Sequence, residues 1–116
     1  MKIYIGSRGP LGCGVLVEDR TGVFRLPVRL DLYNHSPDGF EWGYGGSGPA
    51  QLALAILADH IGDDTQAVEL HQRFKQDVVA GWQGNHFRIT GHDVDTWLRS
   101  ALRAHDRIPT SEGDEA

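Results

Sequence analysis

The run from Glu41 to Gln51, E-W-G-Y-G-G-S-G-P-A-Q, constrains this chain more than any other stretch. It leads into residues 50–61, where Leu52, Ala53, Leu54, Ala55, Ile56, Leu57 and Ala58 follow one another without a polar break. A helix that is apolar all round has to be buried all round, so the remaining elements must wrap this one. Glycines at 43, 45, 46 and 48 immediately precede it. Glycine weakens regular structure and is used where backbone bends sharply or something comes close to it. Pro49 suits the first helical turn, where a missing N–H costs nothing. The segment therefore reads as the end of a strand, a glycine loop and the start of a central helix.

The elements around it follow from periodicity. Residues 2–6 alternate as a first strand. Residues 14–18 and 23–26 flank Asp19-Arg20-Thr21-Gly22, a hairpin turn. Val28, Leu30 and Leu32 alternate with Arg29, Asp31 and Tyr33, which predicts a half-buried antiparallel strand, with Pro27 marking a bulge or an edge. After the turn Ser36-Pro37-Asp38-Gly39, the residues Phe40, Trp42 and Tyr44 alternate back along the sheet. Gly62 reads as a left-handed cap on the central helix and Asp63 as the N-cap of a second, whose inward stripe is Ala67, Leu70, His71, Phe74 and Val78. A short strand at 85–89 points Phe87 and Ile89 inward. Thr90 to Asp93 is a capping box for a third helix with Val94, Trp97, Leu98 and Ala101 on its core face. Strands first and helices mostly later argue α+β: an antiparallel sheet of about five strands with three helices packed mainly on one face. The reading is one globular domain over residues 1–106 and a flexible acidic tail over 107–116.

At 116 residues, with 40% apolar and 23% charged side chains, the chain has enough material for one core. No apolar run approaches a membrane span, the N-terminus lacks a signal-peptide pattern, and Cys13 is the single cysteine. These features favour the cytoplasm. Of the formal charge of −5, Glu112, Asp114 and Glu115 supply three units, leaving about −2 elsewhere. No basic run suited to tracking a phosphate backbone is present, which argues against extended nucleic acid as a partner.

Gly43-Tyr44-Gly45-Gly46-Ser47-Gly48 matches G-x-G-x-x-G literally, after a strand and before a helix. It is no dinucleotide fingerprint, because two helices intervene before the next strand and Pro49 removes an N–H that a phosphate would use. No Gly-Lys-Ser/Thr follows, which excludes a Walker loop. A more modest expectation remains. Helix N-termini carry unpaired N–H groups, and glycines let an anion reach them. On that reading Gly45, Gly46, Ser47 and Gly48 hold an anionic or nucleotide-like ligand, and Trp42 or Tyr44 stacks on it. Arg29 and His35, expected on the polar face of the strand 25–35, or Arg8 in its own glycine-rich loop, would add charge. The competing reading is close strand–helix packing at the glycines and a solvated outer strand face.

Catalytic chemistry has less to stand on. The six histidines show no metal-ligand spacing, so no metal and no cofactor is expected. Asp59-His60 reads as a helix end, and His92-Asp93-Val94-Asp95 as an acidic first turn. Cys13 reads as a small buried residue, and Ser47 lacks the nucleophile elbow. His35 with Glu41, across the turn at 37–38, would be the acid–base pair of a small enzyme.

The run from His35 to Asp59, with its W-G-Y-G-G-S-G-P-A-Q-L-A core, resembles the defining segment of an uncharacterised family of small proteins found in bacteria, archaea and their phages and plasmids. Weaker similarity extends to the Phe74-Lys75 helix and the Trp97 helix. The family has no assigned activity, so the resemblance carries no residue roles. It implies a mobile-element setting, in which small acidic proteins blunt host defences by binding a protein complex (as anti-CRISPR proteins do) or by sequestering a nucleotide signal.

Overall fold

The computed structural model describes the backbone of residues 1–114 and the side chains of residues 1–103. Four strands form one antiparallel sheet in the order β3-β2-β1-β4. They are β1 (Ile3–Gly9), β2 (Gly12–Asp19), β3 (Gly22–Arg25) and β4 (His86–Thr90). Three helices, α1 (Ser47–Ile61), α2 (Asp64–Asp77) and α3 (Gly91–Asp114), and a 3₁₀ turn at Val79–Gly81 complete the chain. The last two residues and all side chains of the acidic tail expected at 107–116 lie outside the described residues.

Cross-strand register sets the two faces of the sheet. Tyr4 lies between Val17 and Ile89, and Gly6 between Val15 and Phe87. All six are buried, and the five with side chains join Leu52, Leu54, Ile56 and Leu57 of α1 in one core. Gly6 is needed there because a Cβ would fall 2.0 Å from the Phe87 ring. The opposite face carries Ile3, Ile5, Leu16 and Val23, half-buried or exposed, so the helices cover the sheet on one side.

Several local readings hold. Asp19 pairs with Gly22 across the hairpin, whose Oδ1 acceptor takes bonds from the N–H and hydroxyl of Thr21. Gly62 caps α1 at φ 76°, Asp63 caps α2 through the Gln66 N–H, and Thr90 and Asp93 exchange side-chain-to-backbone bonds at the start of α3. Phe87 and Ile89 point inward.

The strand count is the correction: four among the described residues, where about five were expected. Neither 28–33 nor 40–44 is a strand. β3 ends at Arg25, and Leu26 makes one further bond, its N–H to the Val15 carbonyl at 3.0 Å. Pro27 then has no N–H with which to continue pairing, and Arg29 turns the chain with φ 60°. Residues 26–46 cross the core as irregular backbone, held by a few backbone bonds and by one buried side chain. Gln51, fully buried in α1, accepts from the N–H groups of His35 (2.8 Å) and Ser36 (3.1 Å) and donates to the carbonyl of Val28 (2.8 Å). The alternation of apolar residues reflects burial against α1 and α2, since sheet pairing and irregular packing can both produce it.

Candidate functional site

The glycine loop is tightly built. Gly43, at φ 93°, donates its N–H to the Val79 carbonyl at 3.1 Å, which turns Trp42 into the core. Trp42 is 1% exposed, its indole N–H donates to the Gly84 carbonyl at 3.1 Å, and the Phe87 ring meets it edge-on at 4.9 Å. The Arg8 guanidinium lies 4.5 Å over its ring, a cation–π contact. The expected stacking of Trp42 on a ligand has no open ring face to use. Tyr44 is exposed, and its ring lies over Gly46, where a Cβ would meet it at 2.4 Å. Gly48 is buried against Glu41, Cβ to Cβ 2.7 Å if the glycine carried one. Space at 46 and 48 is therefore filled by the protein itself, while Gly45 faces open space. Ser47 is exposed at the first position of α1, which has no side-chain cap and no first-turn carboxylate, unlike α2 and α3.

Glu41 is claimed by β1 and β2. Arg8 donates to its Oε1 from Nη2 at 2.7 Å and from Nε at 3.2 Å, and the Cys13 thiol donates to Oε2 at 3.2 Å. Burial would raise the Glu41 carboxyl, but these hydrogen bonds outweigh it and hold the group below its ordinary pKa. Burial first, and then the bond to Glu41, push the Cys13 thiol up, away from thiolate chemistry.

His35 meets His71, with Glu41 engaged elsewhere, so the expected acid–base pair gives way to an imidazole pair. His71 Nδ1–H donates to the Val68 carbonyl at 2.6 Å, which leaves its Nε2 as the acceptor for His35 Nε2–H at 2.8 Å. Tyr33 stacks on His35 at 4.2 Å. Both imidazoles sit below the ordinary histidine pKa, from burial first and then, at His35, from the charge of His71. Arg29, the other residue expected to charge a ligand site, bonds to Asp31 (3.1 Å) and Asp64 (2.9 Å). The structure thus gathers Trp42, Tyr44, Gly45, Gly46, Ser47 and Gly48 at the start of α1 and sends Arg29 and His35 to α2.

One cluster escaped the sequence reading. Asp59 at the end of α1 accepts from Lys2 Nζ (3.1 Å) and the buried Tyr4 hydroxyl (2.7 Å), and His60 Nε2 lies 2.6 Å from Asp95 Oδ1. Lys2, His60, His92 and Asp95 line a cleft of about 400 Å³. Gly91 makes room for His60, since a Cβ there would come within 3.0 Å of the ring. Each half of this cluster reads correctly as a helix terminus, and only the packing of α1 against α3 brings them together. A second cleft, about 460 Å³, opens beside β2 at Cys13, Gly14 and Val15 and is walled by Leu26, Val28 and Phe40. A third, about 250 Å³, lies at Leu32, Asp64, Thr65 and Val68. None of the three draws a wall from residues 41–48 except in the sense that Phe40 adjoins them.

A family model matches residues 4–100, covering the sheet, the glycine loop and all three helix starts. It describes a family of unknown function, DUF6166. The chain belongs to this family. No curated protein and no solved structure matches it. Among the described residues, no helix is long and apolar enough to cross a membrane.

Proposed function

We propose that this chain is a non-catalytic binding module that recognises a protein partner through the open face of its sheet. The observation that carries the reading is the composition of that face. Across the four strands, one row reads Arg25, Leu16, Ile5, Arg88 and the next Val23, Glu18, Ile3, Thr90. Leu16 and Val23 are 42% and 60% exposed. An antiparallel sheet that merely faces water carries polar residues outward, whereas this one has an apolar centre between two arginines in an acidic protein. Such a face suits a partner with an apolar spot rimmed by carboxylates. An inhibitor of a host defence complex is the role we favour, on the resemblance of residues 35–59 to a family of bacteria, archaea and their phages and plasmids. The test is recovery of a partner by the wild-type chain and its identification by mass spectrometry. The doubly substituted chain Ile3→Glu, Val23→Glu, at unchanged melting temperature, should lose that partner. Retention by this variant, or equal loss on Gly45→Arg, would overturn the assignment.

A second reading, an anionic or nucleotide-like ligand at the start of α1, is supported by the uncapped N-terminus and exposed Ser47. About 100-fold ligand excess over Kd should then raise stability by about 2.7 kcal/mol. A nucleotide panel that leaves the melting temperature unmoved removes it.

A further inference from the structure

The notch beside β2 gives the protein-binding reading a specific mode of recognition. β1 and β2 form a hairpin closed by Gly9 and Gly12, and successive residue pairs along it alternate in the side to which their backbone groups point. Leu26 N–H donates to the Val15 carbonyl, so the backbone of Val15 faces away from β1. Cys13, two residues earlier, has the same orientation. β3 pairs with β2 from Asp19 back to Leu16. Beyond the Leu26 bond the chain leaves through Pro27, and among the described residues no backbone group pairs with Cys13 on this side. The result is a short length of free strand edge in the lining of a cleft of about 460 Å³, a volume in the range of binding pockets.

The walls fit an extended peptide. On the inner side stand Leu26, Val28 and Phe40. On the outer side Gly14 leaves a gap, with nothing within 4 Å of where its Cβ would be. Ile5, Leu16 and Arg25 border that gap. Arg25 makes no ion pair or side-chain hydrogen bond among the described residues, in contrast to Arg8 and Arg29. A strand laid along Cys13 would pair its backbone, place one side chain over Gly14 and present a neighbouring carboxylate to Arg25.

We infer that the free edge of β2 at Cys13, with the N–H of Val15 beside it, captures an extended segment of the partner as an added strand, with an apolar side chain over Gly14 and a carboxylate at Arg25. The inference rests on the proposal that the partner is a protein. β-Strand addition takes its affinity from main-chain bonds and its selectivity from alternate side-chain pockets.

The probe is an acetylated, amidated heptapeptide of alternating valine and threonine carrying one aspartate, titrated into the ¹⁵N-labelled chain and followed by NMR. The amides of Cys13 and Val15 should shift first. N-methylation of the residues of one parity should weaken binding about 10-fold, and methylation of the other parity should leave it intact, as expected for loss of a main-chain hydrogen bond. Arg25→Ala should weaken binding about 2- to 5-fold for the aspartate peptide and leave its asparagine counterpart unchanged. Gly14→Val, a substitution suited to a strand, should block binding without lowering the melting temperature. The inference is overturned if millimolar peptide leaves Cys13 and Val15 unshifted, if both methylated forms bind alike, or if sedimentation shows a dimer held through this edge. Failure here together with loss of the partner on Ile3→Glu, Val23→Glu would leave the open-face reading standing. Peptide binding with the partner retained by that double variant would sink the open face and keep the added strand.

Discussion

Residues 3–25 and residues 26–46 solve the same problem in different ways. Both segments alternate apolar and polar side chains, and both lie against α1. In the first, backbone groups pair with backbone groups and the register follows from two-residue hairpins. In the second no ladder forms: scattered backbone bonds, such as Gly43 N–H to the Val79 carbonyl, are joined by side chains from elsewhere, with Gln51 holding the backbone of Val28, His35 and Ser36 and Arg8 the Trp42 carbonyl. A ladder distributes its stability over many small bonds. The irregular segment concentrates it in a few buried residues, so single substitutions should act unequally on the two regions.

The largest effect is expected at Gln51. Gln51→Leu keeps the volume and strands two N–H groups and a carbonyl, each costing about 1–3 kcal/mol, so denaturant titration should show a loss of about 3 kcal/mol or more. A loss below 1 kcal/mol would mean that water replaces Gln51 and the segment needs no side-chain partner. Next comes Gly48→Ala. Its Cβ would press on Glu41 at 2.7 Å, and overpacking of this kind costs about 1–3 kcal/mol. Gly45→Ala, with open space around it, should be near neutral by the same measurement. Equal tolerance at both positions would return the glycines to the ligand reading.

The imidazole pair predicts a pH dependence. Because His35 and His71 are both depressed in the folded chain, the unfolded chain takes up protons first, below about pH 6.5. This contribution to stability should therefore be full above that pH and be lost progressively as the pH falls from 7 towards 5. His71→Gln should flatten this slope, and an unchanged slope would locate the titration elsewhere. The smallest effect belongs to Arg29→Gly. It removes ion pairs worth about 0–1 kcal/mol and relieves a left-handed residue worth about 1–2 kcal/mol, so the net change in melting temperature should be close to zero.

The contrast also explains what could be read from residues alone. Hairpin turns, helix caps and the buried character of α1 depend on neighbours in sequence, and Gly62, Asp63, Thr90 and Asp93 do what their local chemistry dictates. Val28 to Tyr33 looked like a strand because alternation records which side is buried and does not record what the backbone bonds to. Gln51 was visible as a polar residue in an apolar helix, a signal that something must satisfy it. The glycines at 46 and 48 are legible as close approaches, but what approaches, Tyr44 and Glu41, is set by how the loop folds back on itself. The pairing of Asp59-His60 with the start of α3 arises from packing over a long separation and leaves no mark at any one position, whereas the place where β3 leaves β2 is marked by Pro27 alone.

The strand order has a consequence for synthesis. β1 sits between β2 and β4, so the ribosome delivers β1 to β3 as a ready meander while residues 86–90 are still untranslated. Until they emerge, one side of β1 has no neighbour, and Tyr4 and Gly6 await the rings and methyls that will cover them. The nascent chain thus carries a sticky border along β1, and it closes only when the five-residue β4 has emerged.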